Sequence, residues 1–129
     1  NIFFGKNIGF GSAHNLIIDK ISSDFHLILN PDVEFENTVI PKLIQKLVSD
    51  NTSVFISPKV LNSDFSLQFI CRKHPTFVDL VNRKIRFSKK LLQKNQYQNK
   101  SLDKAFYPEF IHGCFMLFKS KDFIQLNGF

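Results

Sequence analysis

The chain has 129 residues, 43% of them hydrophobic and 22% charged, with a formal net charge of +6. Those values fit one ordinary globular domain, long enough to bury a core and too apolar to stay disordered. No apolar run approaches the roughly 20 residues of a membrane-spanning helix, and the excess of Lys and Arg favours anionic partners without choosing among them.

Sixteen phenylalanines, against two tyrosines and no tryptophan, are more than a small domain easily hides. Some of these rings are expected to line a groove or to cover a missing segment. Cys71 and Cys114 lie far apart without metal-type spacing, so they read as buried thiols in a reducing compartment. Asn1-Ile2-Phe3-Phe4-Gly5-Lys6 lacks the charged start and long apolar region of a signal peptide. A start on apolar residues without Met reads as a piece cut from a longer protein.

In chain order, Ile2 to Phe4 reads as a short strand, followed by a loop punctuated by Gly5, Gly9 and Gly11. Ala13 to Ile21 has Ala13, Leu16, Ile17 and Ile21 on one side of a helix. Phe25 to Leu29 is a buried strand that Pro31 must end, because proline cannot donate to a ladder and pushes Asn30 towards an extended conformation. Glu36 to Ser49 carries Val39, Ile40, Leu43, Ile44, Leu47 and Val48 at helical spacing, with Pro41 in its first turn and Asn37 or Thr38 as cap.

Val54 to Ser57 predicts a third strand, closed by Pro58, and Leu67 to Cys71 a fourth. Pro75-Thr76 opens a helix through Phe77, Leu80 and Val81. Residues 83–104 are basic and amphipathic, with a polar, loop-like stretch from Gln93 to Lys100. Phe106 to Phe118 reads as a strand or bent strand pair, Gly113 marking a bulge or a close approach. Ser120 could cap a last helical turn over Asp122 to Leu126. Alternating strands and helices predict a single α/β domain whose mostly parallel sheet is flanked by helices.

Five places could carry chemistry. Asn7-Ile8-Gly9-Phe10-Gly11-Ser12-Ala13-His14-Asn15 puts glycines before a helix, where backbone can approach a phosphate. It is neither the dinucleotide fingerprint nor a P-loop, and by spacing alone a tight turn packed under a helix is the commoner explanation. Asn30-Pro31-Asp32 delivers one carboxylate to the carboxyl end of a strand, the edge where ligands collect in α/β sheets. Asp32 either caps a turn or holds a hard divalent cation, and with one carboxylate the coordination must be completed by phosphate oxygens and water. Arg72-Lys73-His74 and His112-Gly113 are a cationic corner and a His beside a glycine, each explicable as solvated or turn residues. The basic, amphipathic stretch 83–104 suits a membrane surface better than DNA and lacks the aromatic pattern of a single-strand binder.

Taken in order, several segments resemble the family 2 glycosyltransferases of the rhamnosyltransferase type. They are Asn7 to Asn15, Leu27 to Val33, Ser57-Pro58-Lys59-Val60, Arg72 with Pro75-Thr76, Gly113-Cys114-Phe115-Met116-Leu117, and Leu126-Asn127-Gly128-Phe129. The resemblance implies a partial GT-A fold and inverting transfer from a nucleotide-diphospho-sugar, dTDP-rhamnose or similar, to a saccharide or lipid-linked acceptor in bacterial surface polysaccharide synthesis. It implies that Asp32 shares Mg²⁺ or Mn²⁺ with the donor diphosphate, with Asn30 in place of the first carboxylate of the family's Asp-x-Asp motif. Asn7, Gly9, Gly11 and Asn15 would lie beneath the donor, Arg72 would be a further substrate-binding residue, and His112 and Gly113 would approach sugar or acceptor.

The family continues past a Gly-Gly-Phe into acidic motifs that supply the catalytic base. The same resemblance therefore implies that this chain is the central part of a catalytic domain, inactive alone, with its base beyond Phe129. A cytoplasmic location follows, peripheral at the inner face of the plasma membrane if 83–104 docks there. The competing reading is a non-catalytic membrane- or polymer-binding module. Nucleic acid is not an expected partner.

Overall fold

A computed structural model describes residues 5–74, 76, 77, 93, 95–98, 101 and 104–129. The chain divides into two units, one of residues 1–58 with 113–129 and one of residues 59–112. The expected strand at Ile2 to Phe4, the helix opened by Pro75 and almost all of the basic segment 83–104 lie outside the described residues.

The first unit is built on β1 (Phe25–Leu29), β2 (Phe55–Ile56) and β7 (Phe115–Lys119), in the spatial order β1-β7-β2. β7 pairs antiparallel with both neighbours, Leu27 opposite Leu117 on one side and Ile56 opposite Leu117 on the other. Side chains alternate between the two faces of a sheet, and here both faces are buried. Phe115 and Leu117 face α2 (Val39–Ser49) with Leu47, Leu43 and Phe25, while Met116 and Phe118 face α3 (Ser120–Gln125) with Phe123 and Ile28.

This arrangement corrects the expected mostly parallel sheet: every strand pair among the described residues is antiparallel. The apolar runs at Phe25 to Leu29 and Phe115 to Lys119 suggested parallel strands because such runs mark burial on both faces. Burial on both faces is what the helices provide, and it leaves strand direction open. The expected strand–helix–strand unit is nevertheless recognisable. β1 and β2, joined through α2, both run antiparallel to β7 and so run in the same direction, with β7 inserted between them.

α2 begins three residues later than expected. Thr38 is its N-cap, but no side-chain bond caps the helix, and Pro41 sits in the first turn where its missing N–H is not needed. Ser120 also departs from expectation. It is the first residue of α3, and its hydroxyl is buried without a partner. Lys119 takes the N-cap position and sends its ammonium to the Asp50 carbonyl at 2.8 Å. The helix expected over Ala13 to Ile21 forms earlier and breaks, as α1 (Phe10–Asn15) and a 3₁₀ turn at Ile18–Lys20.

In the second unit, β3 (Val60–Leu61) and β4 (Leu67–Gln68) make a hairpin, and β5 (Cys71–Arg72) pairs with β6 (Phe110–Ile111). The strand expected over Leu67 to Cys71 is thus two short strands with different partners. No helix among the described residues is long and apolar enough to cross a membrane. Both cysteines are thiols and half-buried.

Candidate functional site

The Asn7 to Asn15 segment opens with an Asx turn in which the Gly9 N–H donates to Asn7 Oδ1 at 3.0 Å. Gly9 holds φ at 88°, in the left-handed region open to glycine, and α1 starts on the next residue. Phe10 and His14, four apart, stand on one side of that helix with ring centroids 4.5 Å apart.

α3 ends in a Schellman turn. The Asn127 N–H donates to the Ile124 carbonyl and the Gly128 N–H to the Phe123 carbonyl, with Asn127 at φ 60° and Gly128 at φ 77°. The turn brings Phe129 to α1, where the Asn15 side-chain amide holds its backbone twice. Asn15 Nδ2 donates to the Phe129 carbonyl and Asn15 Oδ1 accepts from the Phe129 N–H, each at 3.0 Å. Gly11 lies under the same residue, since a Cβ there would stand 2.9 Å from Phe129 Cβ. The Phe129 ring joins Phe10, Phe118 and Phe123 at centroid distances of 5.5–6.2 Å.

Gly113 closes the group from the other side. A Cβ there would lie 2.5 Å from the tip of the Phe10 ring, so the glycine marks a close approach and not a bulge. The next residue, Cys114, accepts the Asn30 N–H at 2.9 Å, one step beyond the last β1–β7 pair. The end of β1 and the start of β7 are thereby tied together beside α1. The corner after β1 is a β-turn, with the Val33 N–H donating to the Asn30 carbonyl at 3.3 Å. Pro31 and Asp32 occupy its centre. Asp32 is exposed and its carboxylate makes no hydrogen bond among the described residues, so the turn forms without the aspartate capping it.

The first unit therefore contains Asn7, Gly9, Gly11, Asn15, Asn30, Asp32 and Gly113. Of these, Gly11 and Asn15 serve Phe129, which gives them a structural duty. Arg72 and His112 belong to the second unit. There the His112 N–H donates to the Ile70 carbonyl at 2.9 Å, and the Arg72 Nε is buried with no hydrogen-bond partner. Burial, and then the Arg72 guanidinium, hold the His112 imidazole below its ordinary pKa of 6.5.

Residue types alone missed the aromatic assembly of Phe10, His14, Phe123 and Phe129. The signal for it was Asn127-Gly128 directly after an apolar helical turn, which is helix-ending chemistry. His14 belongs to that assembly and His26 borders it, its ring 5.0 Å from that of Phe123. Burial lowers the pKa of His14, and burial followed by the proximity of His14 lowers that of His26, whose Nε2 is buried without a partner.

At the β1 corner the unengaged Asp32 carboxylate is the candidate ligand for a divalent cation. No group of three or more His, Cys, Asp or Glu side chains suited to a metal occurs among the described residues. That donor set fits an ion shared with phosphate oxygens and water, and does not fit one caged by protein. No family model, curated protein or solved structure matches the chain.

Proposed function

We propose that this chain carries the donor-binding part of an inverting family 2 glycosyltransferase with a GT-A fold. Its donor is a nucleotide-diphospho-sugar such as dTDP-rhamnose. Its acceptor is a saccharide or lipid-linked saccharide of a surface polysaccharide, met on the cytoplasmic side of the membrane. The observation that carries this reading is the meeting of three motif segments in one unit. Asn30 is bonded to Cys114, Gly113 abuts Phe10 of the glycine-bearing loop, and the Asp32 carboxylate is left unengaged at the strand end. Tight-turn aspartates commonly spend their oxygens on nearby backbone, and this one does not.

In that function, the Asn30–Val33 turn fixes where the Asp32 carboxylate is presented, and that carboxylate would hold the metal. Mg²⁺ or Mn²⁺, when bound, neutralises charge developing on the departing diphosphate. Gly113 keeps the start of β7 close to Phe10, so donor-facing backbone approaches without an intervening side chain. The exposed Phe10 ring, 47% accessible, offers an apolar face beside it.

The test is amide relaxation with Mn²⁺ as the probe. In the presence of dTDP, the amides of Asn30, Asp32 and Val33 should broaden at substoichiometric Mn²⁺, and Asp32→Ala should abolish the effect. Broadening confined to other carboxylates, or unchanged in Asp32→Ala, would remove the assignment.

A further inference from the structure

Asn127 is exposed just past the end of α3, and Gly128 follows it directly. Asparagine is a thermolabile residue. A following glycine opens its side chain to attack, because no Cβ keeps the glycine nitrogen away from the asparagine amide carbon. The fold decides when that attack occurs.

The Gly128 N–H donates to the Phe123 carbonyl at 3.0 Å and so closes the Schellman turn, with Asn127 at φ 60° and Gly128 at φ 77°. The nitrogen that must attack is therefore the nitrogen that closes the turn. While that bond stands, the nitrogen keeps its proton and directs it back at α3. The next residue, Phe129, is held to α1 by the Asn15 amide, which donates to its carbonyl and accepts from its N–H, each at 3.0 Å. Gly128 packs under the same amide, since a Cβ there would run into the Asn15 side chain. Asn15 thus clamps the turn from outside.

We propose that Asn127-Gly128 is a deamidation site, gated by the contact between Phe129 and α1. When the contact opens, the Gly128 nitrogen gives up its proton to hydroxide and bonds to Asn127 Cγ. The Cγ–Nδ2 bond breaks, ammonia leaves with a proton from water, and a cyclic imide joins the two residues. Water then adds to one of the two imide carbonyls and one C–N bond of the ring breaks, leaving aspartate or isoaspartate at position 127. Either product sets a carboxylate at the carbonyl end of α3, where the helix dipole disfavours it. Isoaspartate also lengthens the backbone by one methylene before Gly128, so the turn no longer closes in register. Phe129 is then released from α1 in one direction only. The inference uses nothing of the donor assignment above.

The experiment incubates the 129-residue chain at mildly alkaline pH and follows ammonia release, with mass spectrometry of the peptide that carries Asn127. Native wild type, native Asn15→Ala and wild type unfolded in denaturant are compared. A reaction that proceeds from an open state follows the population of that state. Deamidation should therefore be at least about tenfold faster in the unfolded chain than in native wild type, and several-fold faster in Asn15→Ala. The β7 amide signals report whether Asn15→Ala is folded. If it is not, wild type in denaturant below its unfolding transition takes its place, with the same acceleration expected. In the isoaspartate product the Phe129 amide should lose protection from exchange while the β7 amides keep theirs. Equal rates in native and unfolded wild type, or no acceleration in the loosened chain, would overturn the gating. An unfolded chain that keeps Asn127 intact would overturn the site, and a Phe129 amide as protected in the isoaspartate chain as before would overturn the release.

Discussion

Replacing Asn15 by alanine removes one donor and one acceptor from the Phe129 backbone at once. Both bonds are exposed, so the expected loss is modest, about 1–2 kcal/mol in denaturant unfolding, with Phe129 amide exchange rising most. Gly113→Ala acts on the same assembly by volume, its Cβ displacing the Phe10 ring. A loss of about 1–2 kcal/mol is expected, and because the obstacle is a ring tip, Gly113→Ala should cost less in a Phe10→Ala background. Equal costs in both backgrounds would show that Phe10 is not what Gly113 accommodates. The histidines add a pH dependence. His14 and His26 titrate below their ordinary 6.5 when folded, so the unfolded chain takes up protons first as pH falls. Their contribution is complete above 6.5 and is lost as pH drops through that value towards the lowered folded ones. His26→Phe should therefore flatten the decline of Tm between neutral and mildly acid pH. At neutral pH it should cost little, because the buried Nε2 has no bond to lose.

Among the elements, β7 is the one on which the first unit depends. It is the central strand, and Phe115, Met116, Leu117 and Phe118 are all buried. Its amides should exchange with solvent more slowly than those of β1, which pairs on one side only among the described residues. Truncating Leu47 of α2, fully buried against Phe115 and Leu117, should cost about 2–5 kcal/mol, read by denaturant unfolding. The apolar rows of α2 and the run Phe115 to Lys119 were legible in the sequence because periodicity and burial write themselves into residue type. Strand direction was not legible, since residues 59–112 separate β2 from β7 and nothing local records which way a distant strand returns. The pieces of α1 were misjudged for a similar reason. Ile17 and Ile21 of the expected apolar row only cap a 3₁₀ turn, Ile18–Lys20, and Ile18 and Ile21 pack on the α3 side of the sheet.

At the scale of the molecule, segments far apart in the chain meet in one unit: the glycine-bearing loop, the β1 corner, Gly113-Cys114 and the closing Asn127 to Phe129. Each was visible as a motif, but the contacts among them required a fold. Asn15 looked like a ligand residue and holds Phe129, while Asp32 looked like an even choice between turn and site and proves to be at a turn it does not cap. The surplus of phenylalanine is also explained in part, since Phe10 and Phe129 remain about half exposed. The central claim is that Asp32 shares a divalent ion with a nucleoside diphosphate, and calorimetry of dTDP binding tests it most directly. With Mn²⁺ present, Asp32→Asn should weaken dTDP binding by at least about tenfold, and without metal the two proteins should bind it alike. Equal affinities in the presence of Mn²⁺ would contradict the account.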